Sequence, residues 1–224
     1  MRITDWTVNE RPREKLLRRG AEFLSDIELL AIFIHSGVAG NNALVLAQRL
    51  LDQFGSVYGV LSASESELRA QLGIGKAKYA LFKAAVELST RSLHTQLCAN
   101  NVFSDVDAVK HYLQLNMSGL QQEVFALMLL NSQHHLISFC KMFYGTINSA
   151  AVYPRELVKK AILENAAAVI LVHNHPSGIA EPSQADIDIT HRITSAMALV
   201  DISVLDHFVV GHTNTVSFAQ RGLI

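Results

Sequence analysis

Few cysteines, few charges and no long apolar run set the first limits on this chain. Its 224 residues include only two cysteines, Cys98 and Cys140. That number cannot staple a disulfide scaffold, so both read as free thiols and the expected compartment is the reducing cytoplasm. Charged residues make up 17% and hydrophobic residues 50%, a balance that builds a packed core rather than a disordered chain. The net charge of −1 excludes a strongly basic nucleic-acid arm. No run reaches the length of a membrane span, so no membrane partner is expected, and residues 1–6 lack the apolar core of a secretory signal. Internal repeats and low-complexity segments are absent. So are the helical zinc-protease motif His-Glu-x-x-His and, after the His-x-His described below, the Pro-Cys-x-x-Cys of zinc deaminases.

What is present divides into two halves. Residues 1–100 carry 12 Lys/Arg and 10 Asp/Glu, and residues 101–224 carry 7 and 10. The first half reads as all-helical. A basic run from Arg11 to Arg19 leads to Gly20, and Ser25-Asp26-Ile27-Glu28 is a capping box opening an apolar helix through Phe33-Ile34. Leu44, Leu46, Ala47, Leu50 and Leu51 recur at helical spacing up to Gly55, and Ser64-x-x-Glu67 caps another helix. In Leu72-Gly73-Ile74-Gly75-Lys76-Ala77-Lys78, two glycines allow a tight turn whose N–H groups stand at the start of the next helix, flanked by Lys76 and Lys78. Such a turn binds phosphate, and it resembles the hairpin of helix-hairpin-helix modules that grip the DNA backbone without reading bases. A helix–helix corner that only packs accounts for the same residues. With a two-charge excess, DNA contact through Gly73, Gly75, Lys76 and Lys78 would be non-specific and salt-sensitive.

Residues 94–101 are polar and read as the linker, giving a helical domain over 1–97 and a second domain over 102–224. The second domain alternates strands and helices. A helix capped at Ser104-Asp105 precedes a strand over 123–131, a turn at Ser132-Gln133-His134 and a returning strand. Pro154 opens a helix, Ala168 to His173 is a buried central strand, Ser183 to Val200 is a helix, and Ser203 to Val210 is a strand. Ser217-Phe218 adds a short last strand.

The densest chemistry lies in His173-Asn174-His175-Pro176-Ser177-Gly178, followed by Ser183-Gln184-Ala185-Asp186. Alternation along a strand sends His173 and His175 to one side and Asn174 to the other. Asp186, in the first turn of a helix, can swing back toward them. Two imidazoles and one carboxylate form a zinc ligand set with a fourth position open. Ser183-x-x-Asp186 is equally a capping box.

His173-x-His175-Pro176 with Ser183-x-x-Asp186, preceded by Glu123 at a strand start, resembles the signature of the JAMM (MPN+) metallopeptidases. Tyr144-Gly145-Thr146-Ile147-Asn148-Ser149, Pro154-Arg155-Glu156 and Leu205-Asp206-His207-Phe208 make it similar to the bacterial RadC-like branch, whose members carry an N-terminal helix-hairpin-helix region. The resemblance implies an α+β architecture: a small all-α domain followed by a cytidine-deaminase-like mixed sheet. It implies one Zn2+ per chain held by His173, His175 and Asp186, with Glu123 as general base and Ser183 as oxyanion donor. The substrate would be a peptide or protein carrying an amide or isopeptide bond. Without the resemblance, Glu123 reads as a solvent-facing residue at a strand start. A non-catalytic DNA-binding scaffold, or a DNA-repair-associated protein, is the alternative from another class. His134, His135, His191 and His212 read as surface residues, and His207 matches the family pattern without an evident role.

Overall fold

The computed structural model describes residues 7–145 and 152–224. Residues 1–6 and residues 146–149 of the stretch begun by Tyr144 lie outside the described residues. By compactness the chain divides into two units, residues 1–88 and 89–224.

The first unit is helical: α1 (Pro12–Arg19), α2 (Asp26–Ile34), α3 (Ala43–Phe54), α4 (Val57–Ser62), α5 (Glu65–Arg69) and the start of α6 (Lys76–Ala99). Pro12 takes the first helical position of α1, where its missing N–H costs nothing. Ser25 and Ser64 form the expected capping boxes, and Gly55 closes α3 at φ 77°, where a side chain would be strained. The apolar stripe of α3, Leu46, Ala47 and Leu50, meets Leu30 and Ile34 of α2, Val60, Leu68, and Phe82 of α6 in one buried cluster.

The polar stretch 94–101 is not an extended linker: α6 continues to Ala99. Leu93 and Leu97 sit one turn apart and pack into the core of the second unit, His94 lies half-buried against Tyr112, and Thr95 and Gln96 form the wet face of the helix. Cys98 joins the two leucines, and three anchors among polar neighbours leave no visible period. A 3-10 turn then spans Val102–Ser104, and the cap of α7 (Val106–Met117) is Asp105, whose carboxylate accepts from the Ala108 N–H at 2.9 Å.

The second unit holds a mixed five-stranded sheet in the order β2-β1-β3-β4-β5. Its strands are β1 (Val124–Leu130), β2 (Leu136–Tyr144), β3 (Ala168–Asn174), β4 (Ser203–Val210) and β5 (Thr215–Ser217). The helix α8 (Pro154–Leu163) precedes β3, and α9 (Gln184–Ala198) joins it to the parallel β4, a connection that needs a crossover. β1 and β3 are buried throughout, because both faces of the sheet are covered. Val124, Ala126, Met128, Ile170 and Val172 face α7, while Phe125, Leu127, Leu129, Val169 and Leu171 face α8 and α9. The last strand begins at Thr215, earlier than expected, and Phe218 lies beyond it. α9 ends at Ala198, short of the expected Val200, which is exposed. Among the described residues no helix is long and apolar enough to cross a membrane.

Candidate metal centre

The centre forms where β3 runs out. His173 lies in β3 opposite Phe125, on the sheet face covered by α8 and α9. His175 falls on the same face one step past the strand, its N–H donating to Val210 O at 2.9 Å. The chain then reverses: Gly178 N donates to His175 O at 2.9 Å with Gly178 at φ 85°. A Cβ there would stand 2.5 Å from the His212 ring, so glycine is required twice over. The turn leads to α9, whose cap is Ser183. The capping box is complete, with the Ser183 N–H and O–H each donating to Asp186 Oδ2 at 2.7 Å and Asp186 N donating to Ser183 Oγ at 3.2 Å. Capping and ligand placement are thus one arrangement, since the same box aims Asp186 back at the histidines.

His173 Nε2 and His175 Nε2 are 3.0 Å apart. Asp186 Oδ1 is 3.3 Å from the first, and Oδ2 is 3.7 Å from the second. Among the described residues, this is the group of His, Cys, Asp and Glu able to hold a metal. The partners on the far side of each ring assign the tautomers. Thr190 has one hydroxyl proton, which goes to Asp186 O at 2.5 Å, because a carbonyl only accepts. His207 Nδ1, 2.6 Å from Thr190 Oγ1, must therefore donate, which leaves its Nε2 bare. His173 Nδ1 donates to that nitrogen at 2.8 Å, leaving its own Nε2 bare. His175 Nδ1 donates to Ile179 O at 2.8 Å, with the same consequence. Two imidazole lone pairs and a carboxylate then converge with no hydrogen between them. Positive charge relieves that repulsion, a proton on His175 in the metal-free protein or a metal ion when one binds, and the nitrogen–nitrogen–oxygen set suits a metal such as zinc.

The electrostatics agree. Burial pushes Asp186 up, but the close approach of the His173 and His175 rings, together with the Ser183 hydrogen bonds, prevails and holds the carboxyl far below the ordinary carboxylate range. The bond with Asp186 raises His175 despite its partial burial. Complete burial drives His207 well below the ordinary histidine value, so it stays neutral as the relay requires. Phe125 stacks on His173 at 6.2 Å and Phe218 packs on His207 at 4.6 Å, walling the relay from water.

Glu123 is half-buried just before β1 and lines an open cleft of about 710 Å3 with Gln121, Gln122, Gly145, His175, Pro176 and Ser177. Its charge helps to raise His175, yet it stands outside the cluster of converging ligand atoms. The Ser183 hydroxyl proton lies on Asp186. Sequence reasoning gives Ile179 no part, sets Thr190 only on one stripe of the helix that Ser183 opens, and finds no role for His207. His134 donates its backbone N–H to Asn131 O in the β1–β2 turn, away from the centre, and His191 is exposed.

The glycine–lysine hairpin of the first unit is a different case. Gly73 has φ 78°, and a Cβ on it would meet Leu46 and Val38 at 2.9 and 3.0 Å, so it is a packing residue. Gly75 is exposed with open space where its Cβ would be. Lys76 is exposed at the first position of α6. The Lys78 ammonium instead donates to Ser36 O and Gly73 O, both at 2.8 Å.

Comparison with known proteins follows this division. The family model for the RadC-like JAB domain matches residues 103–223, and that for the UPF0758 N-terminal domain matches residues 3–80. Over all 224 residues, and over the full length of each relative, the chain is 55% identical to a UPF0758 protein of Alteromonas mediterranea and 55% identical to one of Pseudoalteromonas atlantica. A UPF0758 protein of Shewanella frigidimarina is 51% identical over the same span.

Proposed function

The chain belongs to the family that joins a UPF0758 N-terminal domain to a RadC-like JAB domain, and on that premise we propose that it is a zinc-dependent hydrolase of amide bonds, a peptidase or isopeptidase. The observation that carries this reading is the convergence of bare His173 Nε2, bare His175 Nε2 and the Asp186 carboxylate. These three residues would hold one zinc per chain. When bound, the zinc supplies Lewis acidity and lowers the pKa of water from about 15.7 to about 7.

The remaining work falls to the protein. Glu123, in the cleft but outside the ligand cluster, takes the proton of the attacking water and delivers it to the leaving nitrogen as the C–N bond breaks. Ser183, whose O–H rests on Asp186 in the capping box, would turn that O–H to the oxyanion that develops on the carbonyl. His207 and the Ile179 carbonyl keep both ligand nitrogens bare. The first unit is proposed to touch nucleic-acid phosphate through Gly75 and Lys76, the exposed part of its hairpin.

Elemental analysis of the purified protein beside His175→Ala tests the core of this reading. About one zinc per chain, lost in the variant, is expected for a site with two histidines and a carboxylate. No stoichiometric zinc in the wild type after reconstitution would overturn the hydrolase and leave a DNA-binding scaffold as the function to pursue.

A further inference from the structure

Between the two ligand histidines stands Asn174, which is 1% exposed and points to the opposite face of the sheet. No metal chemistry explains it, yet its side chain uses both amide hydrogens and one oxygen lone pair. Oδ1 accepts from Val124 N at 2.8 Å, and Nδ2 donates to Gln122 O at 3.1 Å and Leu120 O at 3.5 Å. All three partners lie in the segment that enters β1 and carries Glu123. The backbone pairing of β1 with β3 ends at Phe125 and His173, and just beyond it the Asn174 side chain takes over the link to Val124. The Val124 N–H, at the end of the ladder, is satisfied by this side chain. On its other side the segment is tied to the residue after β2, where Gly145 N donates to Glu123 O at 2.8 Å.

We propose that Asn174 is a positioning residue that locks the Glu123 segment in register with the ligand strand. Its importance for turnover rests on the hydrolase reading; its role as a strut does not. Three consecutive residues then set both halves of the centre. His173 and His175 fix the metal position on one face, and Asn174 fixes the base from the other. A serine or threonine, with a single O–H, cannot hold one donor and two carbonyls at once. A base held to the metal ligands through one short stretch of backbone keeps the separation that proton transfer requires, which loops alone hold poorly.

The test uses the full chain. In Asn174→Ala the Val124 amide is expected to exchange hydrogen at least about tenfold faster, with the rest of β1 and β3 unchanged. Zinc affinity, measured by competition with a chromophoric chelator, stays within about threefold, because both ligand rings keep their partners. On any peptide that the zinc-loaded wild type cleaves, kcat falls at least about tenfold, and the same substitution adds little in a Glu123→Gln background, as for residues acting through one group. Asn174→Asp covers failure of the alanine variant to fold. It keeps the acceptor for Val124 but sets a carboxylate against the carbonyls of Leu120 and Gln122, so Val124 stays protected and zinc stays bound while kcat falls. A folded alanine variant with unchanged Val124 exchange would overturn the strut. Zinc affinity falling in step with exchange would overturn it too, since Asn174 would then serve the ligands. A wild type that cleaves nothing would count against the hydrolase alone, with exchange and zinc affinity still deciding the strut.

Discussion

The metal centre and the glycine–lysine hairpin both start from short polar motifs at the edge of a helix or strand, and the fold treats their side chains in opposite ways. At the centre, the far nitrogen of each ligand histidine is occupied, by His207 Nε2 in one case and Ile179 O in the other, so both near nitrogens turn their lone pairs toward the Asp186 carboxylate. In the hairpin, the Lys78 ammonium is already satisfied by two carbonyls of its own unit, and only Lys76 is left facing outward. The difference teaches that a functional side chain is recognised by what its reactive atom lacks. A histidine made to present a bare lone pair is prepared for a cation. A lysine spent on carbonyls holds a loop, and it also loses part of its attraction for phosphate.

The sharpest test of that contrast is Glu123→Gln. Hydrolysis should fall about 10²–10⁴-fold, the usual worth of a general base, while zinc stays stoichiometric by elemental analysis. Loss of zinc would instead make Glu123 a ligand. Next in size is His207→Ala, which frees His173 to take the other tautomer. Zinc affinity should drop about 10–100-fold in chelator competition. Unchanged affinity would mean that the relay through Thr190 does not prepare the site, and the contrast with the hairpin would lose its basis.

The hairpin supplies the smaller effects. Lys78→Ala should lower stability by about 1–2 kcal/mol in thermal melts, because two carbonyls lose a charged donor. Lys76→Ala should change stability by less than about 0.5 kcal/mol but reduce the salt dependence of DNA binding by about one counterion. If the two variants behave alike in both assays, the hairpin lysines are not divided as their hydrogen bonds indicate.

The smallest effect is one of pH. The folded-state value of His175 is raised above its ordinary 6.5, chiefly by its bond with Asp186. In the metal-free protein its contribution to stability is therefore complete below 6.5 and is lost as pH rises through the folded value. Asp186, held low, contributes above its ordinary 3.8 and loses that contribution only in strong acid. Buried His207 works the other way, losing stability as pH falls below 6.5, so the comparison is made against His175→Ala: the metal-free protein should exceed that variant in melting temperature by more at about pH 5.5 than at about pH 8. Zinc-loaded protein should show the reverse order, since zinc needs neutral imidazoles. The same order in both forms would contradict a site shared between proton and metal.

Much of this was legible from local pattern. The capping boxes at Ser25, Ser64 and Ser183, the turn after β1 and the buried run of β3 follow from short-range preferences that survive folding unchanged. The polar stretch 94–101 reads as a linker in sequence because the helix there is anchored by Leu93, Leu97 and Cys98 with His94 against Tyr112, contacts that only the core they enter reveals. Within the centre, His173 and His175 share a face through the two-residue period of a strand, and Asp186 returns to them through the three-residue reach of a cap; both spacings are properties of the sequence itself. The outer partners have no such spacing. His207 reaches His173 because β3 and β4 pair in parallel with Leu171 opposite His207, Thr190 reaches it from α9, and Asn174 reaches Leu120 and Gln122 across the β1–β3 pairing. Sequence fixes what repeats along one element. Which nitrogen is left bare, and where the base is held, depends on contacts between elements distant in the chain, and only the packed sheet brings those together.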